Sequence, residues 1–158
     1  MGGYDNLLTY RASYLAEQEQ VVGRVLTGQK QQIATVLIGR LIDGSPVDTG
    51  EFRQGWHVSG GKPTFKNVRD QNALAEIANI GADITTWKEP LYIQNNVPHG
   101  PILEYGLFDP PNPGPSRDPR KGRKGKVLVQ GGYSTQAPRG IMGDAVEATA
   151  RQFGVRDY

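Results

Sequence analysis

Between residues 12 and 43 the apolar side chains Leu15, Val22, Val25, Leu26, Ile33, Val36, Leu37 and Leu41 recur at spacings of three, four and seven. That spacing lays them along one stripe of an α-helix. Unbroken, such a helix is about 45 Å long at 1.5 Å per residue, in a chain of 158 residues that is one domain's worth. Gly23, Gly28 and Gly39 each cost about 1 kcal/mol relative to alanine. The stretch Thr27-Gly28-Gln29-Lys30-Gln31-Gln32 has no apolar residue, so a kink or break is expected there. Gly44 and Pro46 end the helix, the glycine as its cap and the proline as a barrier.

Beyond this stop Phe52, Trp56 and Val58 share one parity and Arg53, His57 and Ser59 the other, which predicts a half-buried strand with His57 facing solvent. Gly60 to Pro63 is a turn. Residues 72 to 84 read as a helix with Leu74, Ile77, Ala78, Gly81 and Ile84 on one face and Asp70 or Asn72 as its cap. Leu91 to Gln94 is a strand turned by Asn95-Asn96, and Ile102 to Tyr105 is a helical turn closed by Gly106. Val127-Leu128-Val129 reads as a short strand. Pro138 and Gly140 introduce a last helix with Met142, Val146, Thr149 and Phe153 as its stripe. Strands this close in sequence pair antiparallel, so the expected class is a small α+β domain spanning residues 1 to 158.

Residues 107 to 132 interrupt this pattern. The segment Asp109-Pro110-Pro111-Asn112-Pro113-Gly114-Pro115 cannot pair in a sheet, because four of its residues lack an amide donor. Arg117, Arg120, Lys121, Arg123, Lys124 and Lys126 follow, against one acid, Asp118. The whole reads as an extended hairpin arm. With 21 glycines and 11 prolines the chain carries long irregular segments, which suits a subunit ordered by its neighbours better than a free monomer.

The charge balance of +2 does not by itself imply a nucleic-acid partner. With no cysteine, disulfides and thiolate metal sites are excluded. No apolar run is long enough to span a membrane. The opening residues Met1 to Asn6 lack the basic flank and apolar core of a secretory signal, and Asn6 stands where a myristoylation signal has Ser or Thr. The expectation is a protein made and used in a cytoplasm, or in something assembled there.

Asp48-Thr49-Gly50 is also the catalytic triplet of aspartic proteases, where two copies share a proton and activate water. One copy per chain would require a homodimer. Here the triplet follows a helix stop rather than an apolar strand, and neither a flap nor a supporting strand is evident. The structural reading is preferred: the Asp48 carboxylate accepts backbone amides of Gly50 or Glu51, and Gly50 supplies a positive φ. His57 and His99, the two histidines, lack further ligands at metal-binding spacing. Glu104 has no second carboxylate placed to make a glycosidase pair. It is expected to tie its helical turn to a basic group, which in an oligomer belongs to the next subunit, while Tyr105 packs beside it. No metal, cofactor or catalytic residue is expected, and the chain reads as a non-enzyme.

Three segments together resemble a known family. Ser45-Pro46-Val47-Asp48-Thr49-Gly50-Glu51-Phe52-Arg53-Gln54-Gly55-Trp56 follows the long helix. Tyr92-Ile93-Gln94-Asn95-Asn96-Val97-Pro98 leads to Leu103-Glu104-Tyr105-Gly106, and Gln136-Ala137-Pro138-Arg139-Gly140-Ile141-Met142 opens the last helix. In this order they look like the tail-completion and neck proteins of long-tailed bacteriophages of the lambdoid type. The chain has His99-Gly100 where that family usually has Tyr-Ala, and its segment 107 to 132 is longer than the family's link.

The resemblance implies a virion protein assembled in the host cytoplasm, forming a homo-oligomeric, hexameric ring around the DNA channel. It implies contacts with head-closure or connector proteins on one side and tail terminator or tube proteins on the other, with DNA passing through the lumen without sequence-specific binding. Glu104 and Tyr105 become candidate inter-subunit contacts. Two alternatives remain open: a tail terminator ring, and a non-specific DNA-binding accessory protein using Arg117, Arg120, Lys121, Arg123, Lys124 and Lys126. The second requires phosphate contacts that weaken steeply with salt. No aromatic residue is interleaved there for base stacking.

Overall fold

The computed structural model describes residues 3–47, 50–65, 72–107, 129–130, 133–134 and 137–155. The basic residues of the expected arm, together with Asp48 and Thr49, lie outside the described residues. The fold is mixed α+β, as the sequence suggested. Helix α1 runs Gly3–Gly44, and the turn-length helix α2 (Glu51–Gln54) leads into strand β1 (Trp56–Gly60). Helix α3 (Ala73–Asp83), strand β2 (Leu91–Asn95) and helix α4 (Gly100–Tyr105) follow. Strands β3 (Val129–Gln130) and β4 (Tyr133–Ser134) and helix α5 (Met142–Gln152) complete the order. Among the described residues, no helix is long and apolar enough to cross a membrane.

Strands β1 and β2 pair antiparallel, with Trp56 opposite Asn95 and Gly60 opposite Leu91. Strands β3 and β4 pair antiparallel as a second, separate ribbon. The core lies where the last third of α1 meets β1, α3 and α5: Ala34, Ile38, Leu41 and Ile42 of α1 are buried with Trp56, Val58, Ile80, Ile84 and Ala145.

The expected break in α1 does not occur. Its polar stretch stays helical because it faces backbone carbonyls of the segment between α3 and β2. Lys30 Nζ donates to Thr86 O (3.1 Å) and also to Glu89 O, and the Gln31 side-chain amide donates to Ile84 O (2.7 Å). Polar side chains thus do on this segment what apolar burial does further along. The expected single stripe is also corrected: Leu15, Val22 and Val25 are exposed, while Leu41 of that stripe is buried together with Ala34, Ile38 and Ile42, which were not on it.

The strand expected from Phe52 begins later. Residues 51–54 form one helical turn, in which Gln54 N donates to Gly50 O (3.1 Å), and the strand starts at Trp56. Phe52 and Trp56 share a side in either conformation, being four apart, so the parity pattern did not separate the two. Strand β1 is buried on both faces, which overturns the solvent-facing reading of His57. His57 is 0% exposed, and its Nε2–H donates to Thr64 O (2.8 Å).

Two helices are rotated from their expected faces. In α3 the buried positions are Ala73, Glu76 and Ile80, with Leu74 exposed, because the Glu76 carboxylate turns inward and accepts the amide of Val58 (3.3 Å). In α5 Thr149 of the expected stripe is buried, but it shares the inner face with Ala145 and, just before the helix, Ile141, while Met142 and Val146 are exposed. These small residues let α5 pack closely on α1.

Candidate functional site

The three segments singled out in the sequence converge on one junction beside the C-terminal end of α1. Trp56 is its centre. The indole Nε1–H donates to the hydroxyl of Ser45 (2.8 Å), and that hydroxyl donates to Leu41 O (2.5 Å), so the residue that ends α1 is tied to the first residue of β1. All three residues are buried. A buried indole N–H needs such an acceptor, and a buried serine needs such a use for its proton.

Gly50 turns the chain from the α1 stop into α2. Its φ is +81°, in the left-handed region that an L side chain enters only at a cost. The role expected for this glycine is therefore met, while its neighbours Asp48 and Thr49 lie outside the described residues. Phe52 packs edge-on against Trp56, with centroids 5.6 Å apart and planes at 81°. The ring of His99 lies 6.0 Å from that of Phe52, tilted by 41°. Asn95 closes the gap between first and second segments: its amide donates to Phe52 O (2.7 Å) and its carbonyl accepts from Val97 N (3.1 Å).

Glu104 joins the second segment to the third. One carboxylate oxygen accepts the backbone amides of Ile141 (2.8 Å) and Met142 (3.0 Å) at the start of α5. The first amides of a helix have no partner within it, and a negative charge there also meets the positive end of the helix dipole. In this chain the partner of Glu104 is thus a helix terminus rather than the basic side chain expected. Tyr105, expected to pack, is 68% exposed. Gly106 caps α4 at φ +65°, and the Tyr133 ring lies where a Cβ would project, so strand β4 is seated on the end of α4.

Sequence reasoning found Trp56, Gly50 and Glu104 but missed Ser45 and Asn95, whose side chains make the links between segments. Asn95 was read as a turn former, and a lone Ser-Pro at a helix stop carries no signal for a buried hydroxyl. The arrangement is that of a clamp. Carboxylate, amide, hydroxyl and indole are each engaged with backbone or with one another, and their geometry fixes the relative positions of α1, β1, α4 and α5. Among the described residues, no three His, Cys, Asp or Glu side chains gather where they could hold a metal ion.

A groove of about 720 Å³ lies apart from this junction, between α1 and the loop before β2. Gly23, Arg24, Thr27, Thr86 and Trp87 line it. Across it Lys88 donates to Glu19 (2.7 Å). The hydrogen bond and charge of Lys88 hold the Glu19 carboxyl below the ordinary glutamate value. Comparison of the chain with family models, curated proteins and solved structures gives no match.

Proposed function

We propose that this chain is a structural subunit of a bacteriophage particle, building a ring at the neck or the top of the tail, where head and tail join around the DNA channel. The reading rests on the ordered resemblance of three segments. The observation that carries it furthest is that these segments, separated by up to about ninety residues of sequence, meet in one clamp. Motifs kept for chemistry present reactive groups to a cleft. These motifs instead spend their polar groups on each other and on helix ends, as a protein does when its product is a fixed shape. On this reading Tyr105, exposed next to the clamp, contacts a neighbouring subunit, and residues 117–126 meet an acidic surface of an adjoining ring or the phosphates of passing DNA.

The test is electron microscopy of particles made when the gene is silenced by an early stop codon in the phage that carries it. Filled heads beside separate tails support the head–tail joint, and overlong tails instead assign the chain to length termination. Normal infectious particles reject the proposal. In that case salt-sensitive duplex binding, lost on deletion of residues 116–126, becomes the reading to pursue.

A further inference from the structure

Helix α1 has two apolar faces on opposite sides. Ala34, Ile38, Leu41 and Ile42 face the core. At 3.6 residues per turn, Tyr10, Tyr14, Val21, Val25, Val22 and Leu15 spread over an arc of about 140° whose centre lies about 160° from that face. All six are exposed, Tyr10 by 68% and Leu15 by 64%. Together they leave on the order of 500 Å² of apolar surface bare on each copy, about what the apolar part of a standard-size contact contains per partner. Contiguous patches of that size on a soluble protein mark an interaction surface.

The spacing names the kind of partner. Tyr14 and Val21, and Leu15 and Val22, stand seven apart, while Tyr10 and Tyr14, and Val21 and Val25, stand four apart. A repeat near 3.5 residues is the pattern of a helix packed along another helix. We propose that the occupant is α1 of a second copy, running antiparallel in a two-fold contact.

Charge and size select this arrangement. Glu17 and Arg24 lie on one flank of the stripe, and neither has an ion-pair partner among the described residues. An antiparallel pairing sets Glu17 against the partner's Arg24, twice by symmetry; a parallel pairing in register sets it beside the partner's Val22. The same antiparallel register places Tyr14 on the partner's Val25 and Leu15 on the partner's Val22. The bulky half of each stripe then meets the slender half of the other, which is how facing side chains interdigitate. Arg11, the one charge within the stripe, falls opposite the partner's Gly28, whose Cβ position is open space on its own chain. A two-fold contact closes at two copies, so it is separate from the head-to-tail contacts of a ring and does not rest on that reading.

The experiment is the mass of the full chain by sedimentation equilibrium, with far-ultraviolet circular dichroism as the check on folding. A dimer at micromolar concentration is expected. Val21→Glu with Val25→Glu should weaken it roughly 100-fold or more by burying two charges without partners, with the helix signal retained. Glu17→Arg or Arg24→Glu should each weaken the dimer, and the two together should restore it. Because the chain has no cysteine, cross-linking reads the direction. Leu15→Cys with Val22→Cys should form an intermolecular disulfide, and Leu15→Cys alone should not. A monomer at those concentrations, an oligomer indifferent to Val21→Glu with Val25→Glu, or cross-linking by Leu15→Cys alone overturns the proposal.

Discussion

Glu104 separates two roles that sequence alone could not. A carboxylate reserved for a neighbouring subunit contributes nothing to the stability of the free chain. One that accepts the amides of Ile141 and Met142 holds the start of α5 in place. Glu104→Ala should therefore lower the unfolding free energy of the isolated protein by about 1–2 kcal/mol, the range for loss of a charged helix cap. Glu104→Gln should lose less, because it keeps an acceptor oxygen. Denaturant unfolding at fixed protein concentration measures both, and an unchanged midpoint for Glu104→Ala would return the residue to a purely external role. Its place beside Tyr105 and Gly106 was legible in the sequence. Its partner was not, since Ile141 lies 37 residues away and backbone amides leave no trace in composition. His57 was misread for a related reason. Alternation in a strand assumes one wet face, and β1 has none, so a polar residue on the second face must be buried and bonded.

Among the elements, α3 depends on a single side chain at its start. The Asn72 carbonyl accepts the amides of Leu74 (3.1 Å) and Ala75 (3.4 Å). Asn72→Ala should cost about 1 kcal/mol and Asn72→Ser only a few tenths, read as a shift in thermal midpoint. The cap was legible because asparagine before an apolar run is a local signal. The buried face was not, because Glu76 lies on it, and a periodicity count discards a charge that tertiary structure has paired with a strand amide. The loop that holds α1 straight carries a pH signature. Glu19 has its pKa lowered, first by the hydrogen bond from Lys88 and then by its charge. A carboxylate with a depressed folded pKa adds stability above its unfolded pKa and loses it as the pH falls through the folded value. Both side chains are solvent-exposed, so the contribution is small, and the direct reading is by nuclear magnetic resonance. Glu19 should titrate below the ordinary glutamate value, and Lys88→Met should bring it back towards that value.

At the scale of the whole molecule, α1 is two structures in one helix. Its last third is core. Among the described residues its first half meets the rest of the chain along the groove edge, through Gly23 under the Trp87 ring and Glu19 with Lys88. The apolar spacing revealed a long helix, but it joined exposed positions in the first half and buried ones in the last third into a single stripe. No local rule could divide them, because which face is inside depends on where β1 and α3 come to rest. The division has a dynamic consequence. A helix of about fifteen residues with little burial is marginal in water, whereas amides beneath a packed core open only with global unfolding. In Val21→Glu with Val25→Glu, hydrogen exchange at residues 10–22 should be fast and at residues 36–42 slow, with a gradient between them. In the natural sequence the same N-terminal amides should become protected as protein concentration rises, because pairing buries the face that holds them. Protection at residues 10–22 that is high and independent of concentration would mean that the chain itself covers this face, and the division of α1 into a core half and a docking half would fail.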